Sequence, residues 1–152
     1  MNFNIRLATK DEINILADLR MDFLLETASK KSSDEFKANT INYMQKHFDD
    51  NSFFCFVAEK ENKIISTVMI CFYDHLPKAN NPTGKIGYLF NVYTLPEYRG
   101  AGIGAKVLKA TLDLAKENGI NEIFIKAEFK AMPLYKRIGF KHAEQDMVLQ
   151  LF

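Results

Sequence analysis

Three of the chain's seven glycines, Gly100, Gly102 and Gly104, fall within five residues, directly after Arg99 and between a strand-like run and a strongly helical one. A strand that turns through glycines into a helix leaves backbone N–H groups without partners at the helix start. Those groups, with the positive end of the helix dipole, form a site for phosphate. Arg99 adds a fixed positive charge, and the missing side chains let a diphosphate approach the backbone closely. The stretch Pro96-Glu97-Tyr98-Arg99-Gly100-Ala101-Gly102-Ile103-Gly104 therefore predicts a bound phosphorylated cofactor.

The elements around this turn follow from periodicity. Phe3–Leu7 alternates as a strand. Thr9 with Glu12 makes a capping box for a helix to about Thr27, and Ser32 with Glu35 makes a second. The second helix carries Phe36, Thr40, Tyr43, Met44, His47 and Phe48 as an expected buried stripe. Phe53–Glu59 and Lys63–Tyr73 read as a hairpin across Glu61-Asn62. The breaker-rich 74–84 segment reads as an exposed loop, and Lys85–Thr94 as another strand. A long helix from Gly102 or Ile103 stops at Gly119. Asn121–Ala127 is then a short strand, Met132–Ile138 a short helix and Phe140–Leu151 a closing strand. The order β-α-α-β-β-β-α-β-α-β describes one α/β (α+β) domain over residues 1–152, with a mixed, mostly antiparallel central sheet flanked by helices.

Composition removes several function classes. The net charge of +1 gives no footprint for nucleic acid, which needs a basic stripe. Apolar runs such as the six residues Phe53–Ala58 are far too short to cross a membrane, so no membrane partner is expected. No apolar leader is read at the start of the chain, and a cytoplasmic location is expected. A Glu61-Asn62 turn places Cys55 opposite Val68, three positions from Cys71; that odd offset puts the sulfurs on opposite faces and argues for free thiols. No Cys/His spacing suits a metal.

Other readings of the glycines are a plain tight turn, a Walker A loop and a dinucleotide fingerprint. A Walker A loop needs Gly-Lys-Ser/Thr, and Lys106 stands alone. Gly100-Ala101-Gly102-Ile103-Gly104-Ala105 fits G-x-G-x-x-A. It lies late in the chain, however, and Leu95–Arg99 separates it from its strand.

The segment Leu95–Gly104 resembles motif A of the GNAT superfamily of acyl-CoA-dependent N-acetyltransferases, with Arg99, Gly102 and Gly104 filling its core. Pro133-Leu134-Tyr135-Lys136-Arg137-Ile138-Gly139-Phe140 resembles that family's L-Y-x-x-x-G-F motif B, and the element order agrees over essentially the whole chain. The resemblance implies a cofactor site for acetyl-CoA as co-substrate. Its diphosphate would rest on the turn amides of Gly100, Ala101, Gly102, Ile103, Gly104 and Ala105, beside Arg99. Its pantetheine arm would run along Val92, Tyr93 and Thr94 like an added strand, in a splay between that strand and the next. A strand N–H at Val92 or Tyr93 would hold the oxyanion, and Tyr135 would be the general acid that protonates the departing thiolate.

The implied activity is direct acetyl transfer to a primary amine through a tetrahedral intermediate. The acceptor would be a small-molecule or peptide amine, and the protein a monomer or homodimer. The strand before motif A carries no glutamate, only Asn91, so the general base stays open among Glu128, Asp74, His75, Glu26 and water. An acyl-CoA-binding regulatory or structural domain is the alternative function. The acceptor would sit among the first two helices and the 74–84 loop.

Overall fold

Five strands lie side by side in chain order: β1 (Asn4–Leu7), β2 (Phe53–Lys60), β3 (Lys63–Asp74), β4 (Lys85–Thr94) and β5 (Glu122–Ile125). They belong to a computed structural model that describes residues 2–28, 31–143 and 147–152. The first three pairings are antiparallel and the last is parallel. The helices are α1 (Ile13–Ala28), α2 (Asp34–Asp49), α3 (Ile103–Glu117) and α4 (Met132–Ile138). Helix α3 is the crossover that a parallel β4–β5 pair requires.

Two apolar layers sandwich the sheet. Ile13, Leu16 and Leu19 of α1, with Met44 of α2, pack on Cys55, Val57, Met69 and Tyr93. On the other face, Ile103, Val107 and Leu108 of α3 and Tyr135 of α4 pack on Ile65, Val68, Ile70 and Leu89. Burying a side chain such as Leu16 or Leu108 fully stabilises the fold by about 1.5–3 kcal/mol.

The hairpin turn forms as read, with Glu61 and Asn62 both at positive φ (51° and 60°), as a two-residue turn that follows the strand twist requires. The register beyond it is not the one the turn alone implies. Ala58 pairs with Ser66 but Glu59 with Ile64, so Ile65 is an extra residue in β3. That bulge moves Cys55 opposite Met69, with Phe53 opposite Cys71. The two cysteines therefore share a face, contrary to the expectation from turn length, and both are buried and free.

Three further differences have local causes. Helix α2 is capped by Ser33, whose hydroxyl accepts from Phe36 N–H at 3.1 Å, rather than by Ser32. The 74–84 loop is pinned by buried Asn81, which donates to Lys85 O and accepts from Gly84 N–H and Asn121. The expected closing strand Phe140–Leu151 is absent from its described part, 140–143 and 147–151; residues 144–146 lie outside the described residues. Met147, Val148, Leu149 and Leu151 are strongly exposed. Alternating apolar residues make a strand only where a neighbour takes the backbone hydrogen bonds, and none of the described strands pairs with them.

An ion triad ties the start of the chain to the sheet. The Arg6 guanidinium donates to both Glu12 oxygens, at 2.7 and 2.9 Å, and to Glu59 from Nε at 2.8 Å. Arg6 holds the Glu12 carboxyl below its ordinary range, so its contribution is complete above that range and is lost as pH falls from there through the lowered one. Arg6→Ala is expected to cost about 1–2 kcal/mol at pH 7, discounted for partial exposure, and clearly less at pH 4. Denaturant unfolding at the two pH values checks this; equal losses would contradict it.

Candidate active site

Helix α3 begins without a cap. Gly102 occupies its N-cap position at φ +72°, with no side-chain oxygen to take the first N–H groups. Gly100 is also left-handed, at φ +81°, and a Cβ at either residue would meet open space. Among the described residues, no acceptor takes the N–H of any residue from Gly100 to Ala105; the first helical bond is Lys106 N–H to Gly102 O, at 3.2 Å. Six successive donors thus stand without partners at the positive end of a helix of fifteen residues, where an anion is favoured. Gly104 matters for packing instead. A Cβ there would lie 3.1 Å from Thr94 Oγ1, so its absence lets α3 start tight against the end of β4.

The end of β4 is open on the side of β5. Their parallel pairing runs from Ile86–Glu122 to Leu89–Ile125 and stops. Beyond it, β4 takes in an extra residue: Thr67 pairs with Tyr93 and Met69 with Phe90, leaving three steps on β4 against two on β3. Asn91 sits in this bulge at φ +50°, buried, donating from its amide to Thr67 Oγ1 at 3.1 Å. Among the described residues, those after Leu89 keep β3 as a neighbour and face no strand on the other side. Val92, Tyr93 and Thr94 lie on this open stretch, which leads directly to the turn.

Arg99 is anchored rather than free. Its Nε donates to Thr94 O at 2.8 Å, and Nη2 pairs with both oxygens of Glu26 on α1, at 2.7 and 3.0 Å. Its guanidinium also lies 5.6 Å from the Tyr93 ring centre. Glu26 is therefore the candidate base brought to the open end of β4, a pairing that no sequence spacing announces. Asp74 pairs opposite Lys85, at the other end of a ten-residue strand. At about 3.3 Å per residue, that places Asp74 and neighbouring His75 far from the turn. Glu128 is exposed at the start of the 3-10 turn before α4.

Tyr135 is held in the α3-side core, with its ring edge-on to Phe140 at 5.7 Å. Burial pushes its phenol up to about 12, so the hydroxyl stays protonated through any ordinary working pH. No described residue hydrogen-bonds that hydroxyl, which leaves its proton available.

Comparison with known proteins agrees with this geometry. The family model described as the acetyltransferase (GNAT) family matches residues 13–140. A thialysine N-epsilon-acetyltransferase of Sus scrofa is 31% identical over 72% of this chain and 69% of its own length. N-alpha-acetyltransferase 30 of Schizosaccharomyces pombe is 37% identical over 57% of each. The chain spans about half the length of other curated relatives it matches. The solved structure of a predicted acetyltransferase from Clostridium acetobutylicum with acetyl-CoA superposes with a TM-score of 0.93 at 31% identity, covering 99% of this chain and 97% of the other. With the capless glycine turn, the open strand and a family match over most of its length, this chain belongs to the GNAT acetyltransferase family.

Proposed function

We propose that the chain transfers the acetyl group of acetyl-CoA to a primary amine. The observation that carries this reading is the row of six partnerless amides beside the open end of β4. The amides from Gly100 to Ala105 suit a diphosphate, and the backbone of Val92, Tyr93 and Thr94 suits the amide groups of a pantetheine arm. The substrate supplies an activated thioester. Arg99 fixes the turn to β4 and α1 through Thr94 and Glu26, so its contribution to the diphosphate is a nearby charge rather than a free fork.

In the transfer, the amine nitrogen bonds to the thioester carbon and the carbon–sulfur bond breaks. An alkyl amine, with a pKa of about 10, must first lose a proton. The Glu26 carboxylate is engaged by Arg99, so the reading assigns that proton to water. A strand N–H at Val92 or Tyr93 stabilises the developing oxyanion, worth about 3 kcal/mol when preorganised. Tyr135 supplies the proton that the departing sulfur takes, because burial keeps its phenol neutral, and the further proton shed by the acylated nitrogen restores the phenol through solvent. The absence of a carboxylic acid in β4 favours a second reading, an acyl-CoA-binding domain with little transfer, and the Tyr135 variant separates the two.

Acetyl-CoA is expected to raise thermal stability, by about 2.7 kcal/mol at one hundred times its dissociation constant, with NADH doing much less. A larger shift with NADH would overturn the reading. Gly102→Val is expected to weaken acetyl-CoA binding more than tenfold while the domain folds, since its side chain enters open space and the left-handed φ costs only about 1–2 kcal/mol. Normal binding by that variant would reduce the glycine to a turn residue.

Tyr135→Phe keeps the ring and removes the donor. Turnover is expected to fall about 10²–10⁴-fold with little change in acetyl-CoA affinity. A fall below threefold, measured with an active amine, would leave CoA binding standing and remove this general acid.

A further inference from the structure

On the α1–α2 side of the sheet lies a cavity of about 470 Å³. Its walls include Phe36 and Tyr43 of α2, Met69 of β3, and Tyr88 and Phe90 of β4. Within the helix stripe expected to be buried, Met44 and Phe48 pack on the core, while Phe36 and Tyr43 line this cavity and are 39% and 42% exposed. One charged group stands among these rings. The guanidinium carbon of Arg20, from α1, lies 5.9 Å from the Phe36 ring centre and 5.7 Å from that of Phe90.

Among the described residues, no carboxylate or carbonyl pairs with Arg20. Asp18 is engaged with Lys37, and Asp22 lines a separate cleft with Arg6 and Glu59. Desolvation lowers the Arg20 pKa, yet an arginine remains charged at any working pH. A cation held among apolar rings without a counter-ion is costly, and a bidentate carboxylate removes that cost. The cavity also adjoins the open end of β4: Phe90, in its wall, immediately precedes Asn91 of the bulge, whose Oδ1 is buried without a hydrogen bond. A ligand anchored at Arg20 thus lies next to the place where the strand opens.

We propose that this cavity is the acceptor site, and that it takes an amine with an aromatic body and one carboxylate, the carboxylate pairing with Arg20. The amine part of the proposal rests on the acetyl-transfer reading; the cavity and its anion do not. Mixed surface charge on the first two helices gives no such direction, because Arg20 differs from its neighbours only in what surrounds it.

Calorimetry with 3-phenylpropionate, 3-phenylpropanamide and phenyl phosphate tests the anion site without any transfer. The wild-type protein is expected to bind 3-phenylpropionate about tenfold tighter, or more, than the other two. Arg20→Gln is expected to abolish the difference and leave acetyl-CoA binding intact. Equal binding of acid and amide, tighter phenyl phosphate, no binding of 3-phenylpropionate at millimolar concentration, or a preference that survives Arg20→Gln each overturns the proposal. The wild-type comparison stands even if the variant fails to fold. In acetyl transfer, phenylalanine is expected to exceed phenethylamine about tenfold or more in kcat/KM. Equal rates on the two amines would overturn the acceptor assignment while sustaining the transferase. Acid-selective binding with no transfer to any amine would sustain the anion site and overturn the transferase reading.

Discussion

The parting of β4 from β5 after Leu89 is the constraint on which the rest of the site depends. Backbone donors and acceptors in a protein interior need partners, and an unpaired strand edge is ordinarily covered or blunted. Here the chain leaves that stretch, among the described residues, with no strand on its β5 side. It inserts an extra residue at the left-handed Asn91, binds that residue's side chain to Thr67, and carries β4 on against β3 alone. The edge ends at Thr94, and beyond the 3-10 turn at Pro96–Tyr98 the chain reaches Gly100 to Ala105, where six amides also lack partners among the described residues. In the proposed complex, the strand edge takes the amide groups of the pantetheine arm and the turn takes the phosphates.

Each face of the sheet does separate work. The α3–α4 face holds the glycine turn by packing Ile103 and Leu108 under it, with Gly104 pressed on Thr94, and it buries Tyr135 in the same layer. Burial there sets chemistry as well as packing, since it keeps the phenol neutral. The α1–α2 face carries the cavity with Arg20 and sends Glu26 across to Arg99. Helix α1 therefore links the two halves of the site: residues six apart on it contact the cavity and the turn.

Much of this was legible in the sequence because it rests on local rules. Glu61-Asn62 had to turn between strands, and Pro133 had to lie in the first turn of a helix. What was not legible depends on partners distant along the chain. The Ile65 bulge shifts β2 against β3 by one residue and brings Cys55 and Cys71 to one face, although turn length alone implies the reverse. Within the α2 stripe, Met44 and Phe48 pack on the core as the periodicity implies, whereas Phe36 and Tyr43 line a cavity. The apolar alternation near Leu151 signals a strand that no described neighbour accepts. Glu26 and Arg99 meet across 73 positions of sequence, a distance no motif spans.

In the proposed complex, the amides from Gly100 to Ala105 receive the diphosphate of CoA. A titration of the isotope-labelled protein with CoA, read amide by amide in solution NMR, tests it most directly. The largest shifts are expected on Gly100 to Ala105, with a second group on Val92 to Thr94 and none on the 74–84 loop. Saturable CoA binding with those six amides unshifted would contradict it.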